Sequence, residues 1–371
     1  MAGSVSERAH LRFALAVHRA NAGHGRDACY SPYSVASALG LVTRAARGDT
    51  AGEVAGLLAG GVDGLEEQAE LLRKAAVLNA HGGQDEPVLA VSNILWAWDA
   101  LPIDTGFLDE LAAWPGGRAA AAPFVTDPEG ARARINADVA RTTQDLIPEL
   151  LGPGSVADDT VASIVNALYL RVGWTYPFRA EDTAEADFHA PSGTRRVPTM
   201  RQSEQLGYAA RDGWQLVALP AVGGVEAVVL LPDAELGAAE STLDEALLSD
   251  LLSSRQNPQV NLSVPKFSLD LRSELTETLK ALGVRTMFTR EADFGSLSAD
   301  PRLVVSDVLH EAVLRVDESG LEGAAATAVM MRLVSMPAGE PVTVEVDRPF
   351  LLLVRHADTG AVYFLARVVE P

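Results

Sequence analysis

The sequence predicts an α+β protein built on an extensive, largely antiparallel sheet system. Three observations lead there. The first eighty residues read as helices, most of the remainder reads as short apolar strands, and the two kinds never alternate regularly as a parallel α/β sheet requires. No internal repeat and no separating linker interrupts the 371 residues, so residues 1–371 are expected to form a single domain.

Leu11, Ala14, Leu15, Val17 and His18 fall near helical spacing. Ser31-Pro-Tyr-Ser opens an alanine-rich helix, with Pro32 in the first turn, where its missing N–H costs little. Further helices are expected over 50–58, 65–78, 127–142, 243–252 and 274–282. Strand character starts over 88–96, and Trp114-Pro-Gly-Gly is a turn. Residues 161–170 are nearly unbroken apolar residues, the pattern of a strand buried on both faces. Short strands and turns alternate from 188 to 232. Single strands are expected over 260–271 and 303–316. A terminal pair, 348–354 and 361–368, is joined by the hairpin signal Asp358-Thr-Gly.

Fifty acidic residues outweigh thirty lysines and arginines, for a net charge of −20. That argues against nucleic acid or an anionic membrane as partner. Cys29 is the only cysteine, so no intramolecular disulfide forms, and a buried thiol is the expectation. The start lacks the apolar core of a signal peptide, and no segment has the apolar length of a membrane span. The expectation is a cytoplasmic protein, or one of the extracellular space if a signal has been removed.

Signatures of catalysis are missing. None of Lys74, Lys266 and Lys280 follows a glycine, and HExxH, GxSxG and helix-opening GxGxxG are absent. Asp293-Phe-Gly stands without a catalytic-loop partner. The seven histidines show no metal-ligand spacing. The chain is therefore expected not to be an enzyme and to hold neither metal nor cofactor.

The segment from 303 onward is unusual. Its even positions, Val304 to Val316, carry Ser306 and His310 among apolar residues, whereas the odd positions carry Asp307, Glu311 and Arg315. The even face is expected to be buried, with His310 a hydrogen-bonded core histidine. Beyond it, Leu321, Gly323, Ala325, Thr327, Val329, Met331 and Leu333 form an uncharged alternating set, while Glu322 and Arg332 lie opposite. Such a segment can enter a sheet as a strand without burying a charge.

In order along the chain, several motifs resemble those of the serpin family. Ser31-Pro-Tyr-Ser-Val-Ala-Ser-Ala-Leu is similar to its SPxSxxxAL segment, and Arg47-Gly-Asp-Thr follows at the family's spacing. Asn166-Ala-Leu-Tyr-Leu-Arg-Val-Gly-Trp with Phe178 resembles NAxYFKGxWxxxF. Val264-Pro-Lys-Phe, Ser306-Asp-Val-Leu-His-Glu-Ala, Asp347-Arg-Pro-Phe and Phe364-Leu-Ala-Arg-Val-Val-Glu-Pro resemble its later signatures.

The resemblance implies a serpin fold of three β-sheets and eight or nine helices, with an exposed reactive loop over about 318–337. It implies a metastable inhibitor of serine proteases. Its loop is cleaved, becomes acyl-linked to the protease and inserts as a new central strand, a case of the strand addition known for serpins generally. By position, Ser34, Ser37, Asn166 and His310 match a polar shutter under the opening sheet. Trp174, Lys266 and Glu318 match the breach, where the loop first enters. Glu318, Gly320, Leu321, Glu322, Gly323, Ala324, Ala325, Ala326 and Thr327 match the hinge. Leu321 stands where inhibitory members usually carry Thr or Ser, Gly323 where Ala is usual, and Ala366 where a glycine is frequent.

The family spacing from Glu318 places the cleaved bond at Val334–Ser335, which suits an elastase-like protease. Cleavage after Leu333 suits a chymotrypsin-like or subtilisin-like one, and cleavage after Arg332 a trypsin-like one. The expected partner is a serine protease in a covalent acyl complex, with the inhibitor a monomer. The alternative is a non-inhibitory serpin for binding, storage or chaperoning, whose loop is cleaved without trapping.

Overall fold

The structure is a computed structural model that describes residues 4–21, 25–79, 86–156, 160, 162–305, 308–321 and 340–371. Helix α1 (Val5–Asn21) leads through β1 (Ala28–Tyr30) to α2 (Pro32–Ala45), α3 (Gly48–Ala59) and α4 (Leu65–Ala75). Next come β2 (Val88–Trp98), α5 (Thr105–Ala112), β3 (Gly117–Ala122), α6 (Pro128–Thr142) and β4 (Ala162–Gly173). Five strands follow in succession: β5 (Ala184–Ala190), β6 (Gly193–Gln205), β7 (Gly207–Arg211), β8 (Trp214–Ala221) and β9 (Val225–Pro232). After α7 (Leu236–Glu240) and α8 (Glu245–Ser253) the chain forms β10 (Gln259–Pro265), β11 (Phe267–Glu274) and α9 (Thr276–Ala281). It ends with β12 (Leu309–Val316), β13 (Gly320–Leu321), β14 (Val342–Glu345), β15 (Phe350–His356) and β16 (Val362–Val368).

Local chemistry explains the helix starts. The Ser31 hydroxyl accepts from the Ser34 N–H at 3.1 Å, and Pro32 takes the first helical position of α2. Asp127 caps α6 in the same way, accepting from the Gly130 N–H at 2.9 Å, ahead of Pro128. In the turn after Trp114, Gly116 has φ 63°, and a Cβ there would lie 2.1 Å from the Val91 carbonyl oxygen.

Among the described residues there are nine α-helices and three sheets, as expected. One six-stranded sheet has the order β1-β16-β15-β9-β8-β7; its strands β9, β15 and β16 are buried throughout. A four-stranded sheet has the order β14-β10-β6-β5, and a second six-stranded sheet the order β11-β12-β13-β4-β2-β3. Helix α2 packs against both β4 and β16, so it sits between the two large sheets. The main apolar core surrounds it, and a smaller one (Phe124, Ile135, Leu150) lies under α6 on the other side of the second large sheet.

Several sequence expectations needed correction. The single strand expected over 260–271 is two. β10 pairs with β6 as far as Pro265, Lys266 gives its N–H to the Pro198 carbonyl at 2.9 Å, and β11 then joins a different sheet. Pro198 accepts that bond but has no N–H to return, and the ladder goes no further. The strand expected to start at Leu303 starts at Leu309; the N–H of Val305 is turned aside to the Met287 carbonyl at 2.9 Å, and Ser306 and Asp307 lie outside the described residues. Alternation holds at the top of β12, where Ala312, Leu314 and Val316 are buried and Arg315 is exposed, whereas His310 is largely buried but keeps a little exposure. Glu274 ends β11 instead of opening a helix, and α4 stops at Ala75. Helices α5 and α7 carry caps, Asp104 and Glu235, that the apolar pattern did not reveal.

Candidate functional site

The second large sheet is where the unusual segment meets the rest of the chain. Gly320 pairs with Gly173 of β4, and Leu321 pairs with Val172 of β4 on one side and Val316 of β12 on the other. Both pairings are antiparallel, so β4 and β12 run parallel with a two-residue strand wedged between them. Leu321 is 1% exposed. A Cβ on Gly320 would lie 2.1 Å from the Val172 carbonyl oxygen, so this close approach admits only glycine.

The turn that delivers Gly320 is closely tied down. The Asp317 carboxylate accepts from the N–H groups of Ser319 (2.8 Å) and Gly320 (3.2 Å). The Trp174 indole N–H donates to the Asp317 carbonyl at 2.8 Å, and its backbone N–H to the Ser319 carbonyl at 2.9 Å. Trp174 is buried and meets Phe178 edge-on. The Phe178 N–H donates to the Glu318 carbonyl at 3.0 Å. The Glu318 carboxylate takes the Lys266 ammonium at 2.8 Å and the Thr183 hydroxyl at 3.0 Å. Burial alone would raise the Glu318 carboxyl, but these partners outweigh it and hold it below its usual range.

Among the described residues, no strand lies between β4 and β12 beyond Leu321. β4 pairs with β2 along one edge, and β12 pairs with β11, but among the described residues no ladder joins β4 directly to β12. From Leu309 to Arg315 the facing edge is roughly 20 Å long at about 3.3 Å per residue. At the end remote from Leu321 a cavity of about 250 Å³ passes through the gap, touching α2 on one side and α6 on the other.

Polar residues line the upper margin of this cavity. The His310 Nε2 accepts the Ser31 N–H at 2.9 Å, so the strand is tied to the start of α2. Burial lowers the His310 pKa to about 4, which keeps the imidazole neutral at pH 7 and fixes the proton on Nδ1. The Asn166 amide donates to the Asn93 side-chain oxygen at 2.7 Å, and Asn93 in turn donates to the Pro115 carbonyl at 2.8 Å. Ser34 lines the same space, and Ser37 is fully buried one turn further along α2.

The structure thus brings Ser34, Asn166 and His310 together, and it brings Trp174, Lys266 and Glu318 together. Glu322, Gly323, Ala324, Ala325, Ala326 and Thr327 lie outside the described residues, as do Arg332, Leu333, Val334 and Ser335. Sequence reasoning missed Ser31, Asn93, Thr183 and Asp317. For Asn93 a signal existed, since it is the one amide in a strand that is apolar apart from it and Ser92.

A family model described as Serpin (serine protease inhibitor) matches residues 8–371. The chain belongs to the serpin family. Curated serpin relatives agree with this. Serpin-ZXA of Oryza sativa subsp. japonica is 31% identical over 364 residues, covering 94% of this chain and 91% of the rice protein. Alpha-1-antiproteinase 2 of Equus caballus is 31% identical over 376 residues, covering 98% and 86%. Among solved structures, thyroxine-binding globulin in complex with thyroxine superposes with a TM-score of 0.85 at 23% identity, covering 98% of this serpin and 99% of that chain. Native tengpin, a thermophilic serpin, superposes with a TM-score of 0.85 at 22% identity, covering 98% and 94%. The fold of this serpin is therefore the mixed α+β serpin fold, and its family is one of protease inhibitors.

Proposed function

We propose that this serpin inhibits a serine protease by suicide trapping and is not itself a catalyst. The observation that carries the reading is the pairing of Leu321 between β12 and β4 while, among the described residues, the rest of those two facing edges has no ladder between them. In this reading residues 1–371 act as one domain and residues 318–337 as the reactive loop. The protease serine attacks the Val334 carbonyl carbon, the peptide bond to Ser335 breaks, the new amine takes a proton, and Val334 is left as an acyl ester on the protease. Cleavage after Leu333 or Arg332 would follow the same chemistry with a different primary pocket.

The freed segment then continues the strand that Leu321 begins, antiparallel to both neighbours. Val329, Met331 and Leu333 share Leu321's alternation and enter the sheet interior, at roughly 1.5–3 kcal/mol for each large apolar side chain buried. Glu322 and Arg332 stay on the other face. Gly320 to Thr327 serve as the hinge. Trp174, Lys266 and Glu318 hold the point of insertion, and Ser34, Ser37, Asn166 and His310 form the gate through which the strand passes. The ester is trapped because the displaced protease cannot keep its oxyanion donors and base aligned for hydrolysis.

A non-inhibitory serpin is the second reading, and Gly323 is what favours it. Leu321 does not support it, since that bulky side chain is already accommodated between β4 and β12. Incubation with pancreatic elastase, chymotrypsin and trypsin in turn separates the two. An SDS-resistant adduct with one of them, elastase first, is expected; nicked chain alone with all three would overturn trapping.

A further inference from the structure

The through-sheet cavity is built for more than a passing strand. Its walls come from both apolar cores: Val35 and Leu39 of α2 and Leu297 on one side, Ile135 of α6 and Leu150 on the other. Ser155, Thr160 and Ser163 add hydroxyl groups to these mostly apolar walls. Among the described residues that line the cavity, only Arg302 and His310 can carry positive charge, and none is acidic. Arg302 lies at the exposed rim with its guanidinium held by the Asp300 carboxylate at 2.6 Å. His310 is held neutral by burial. Beside this space, and sharing Ser34, Asn166 and His310 with it, lies a smaller one of about 30 Å³, which Glu311, its carboxyl pushed up by burial, also lines. It exceeds the space of about 10–15 Å³ that one water needs, so it can take a hydroxyl or carbonyl head.

We propose that this pair of cavities binds a neutral, largely apolar small molecule, with an aromatic or short alkyl body in the larger space and one hydrogen-bonding head beside Ser34, Asn166 and His310. A bound molecule would occupy the gap that the inserting loop must cross, so ligand and loop exclude one another and trapping turns into simple cleavage. That consequence rests on the insertion reading given above; the binding itself does not.

Prodan, a neutral naphthalene ketone, is a suitable probe. Titrated into the intact chain, it should give saturable, blue-shifted fluorescence at one probe per chain. Val304, 42% exposed at the rim, can be replaced to plug the cavity without disturbing the core. Val304→Trp should weaken binding about tenfold or more, a change of about 1.4 kcal/mol or more. Photolabelling with benzophenone, which needs no variant, should mark Ile164, Met287 or Leu303. Non-saturable fluorescence, equal affinity in a folded Val304→Trp chain, or labelling elsewhere would overturn the site. Saturating prodan should also raise the fraction of chain nicked relative to the fraction trapped; an unchanged ratio would overturn the exclusion of loop by ligand. If prodan binds as described and no protease ever forms an adduct, the trapping reading fails while the site stands. If adducts form and prodan does not bind, the site fails while trapping stands.

Discussion

The Lys266 ammonium stands 2.8 Å from the Glu318 carboxylate, and this contact fastens the turn before Gly320 to the point where one strand run divides between two sheets. Lys266 is 45% exposed at its side chain and Glu318 17%, so solvent screens the pair and it contributes less than about 1 kcal/mol. Its pH signature is definite. The Glu318 pKa is lowered on folding, so the stabilisation is present above the ordinary carboxylate pKa of about 4.3 and is lost as pH falls through the folded value. Lys266→Ala should therefore melt below the wild type at pH 7, with the gap closing toward pH 3. A gap independent of pH would show that the pair does not act as an ion pair.

Gly320→Ala tests the wedge itself. The new methyl would meet the Val172 carbonyl oxygen, so Gly320 and Leu321 must leave the sheet or the strands must part. A loss on the order of 1–3 kcal/mol in urea unfolding is expected, together with faster nicking of the loop by a broad-specificity protease. Unchanged stability and unchanged nicking would place Gly320 outside the sheet.

Leu321→Arg puts a charge where a 1% exposed leucine now packs. The expected outcome is cleavage without trapping, read as nicked chain in place of the SDS-resistant adduct. Persistent trapping would count against the register in which Leu321 leads the inserted strand.

His310 predicts a second pH window. Its pKa is lowered to about 4 from an unfolded value of about 6.5, so the unfolded chain takes up a proton first as pH falls. The stability this group allows is complete above about 6.5 and declines between there and about 4, with a slope approaching about 1.4 kcal/mol per pH unit. His10, lowered to about 4 by burial as well, adds a similar slope. His310→Gln, which can still accept from the Ser31 N–H, should flatten the profile by one proton's worth. An unaltered slope would mean that His310 is not neutral in the fold.

Much of this was legible in the residues. Ser31-Pro32 marked the start of α2 because capping and proline placement are local chemistry. The alternation of Ala312, Leu314 and Val316 marked a half-buried strand for the same reason. The division at Lys266 was not legible: residues on both sides favour strands, and only the Pro198 carbonyl and the second sheet decide that the run splits. Nor was the start of β12, since Val304 and Val305 suit a strand as well as Leu309 does, and Met287 claims the Val305 N–H. The motifs brought Trp174, Lys266 and Glu318 together, but Asp317 and Thr183, which orient them, carry no pattern of their own. The gap between β4 and β12 is an absence of pairing among the described residues, and periodicity within one strand is silent about its neighbour.

The central claim is that the loop beyond Leu321 belongs in that gap once it is cut. The most direct measurement is the melting temperature of the chain before and after a single nick within residues 322–339, with both fragments retained. Insertion adds a full strand of ladder hydrogen bonds and buries Val329, Met331 and Leu333, so the nicked protein should melt about 10 °C or more above the intact one. A melting temperature unchanged or lowered by the nick would contradict the account.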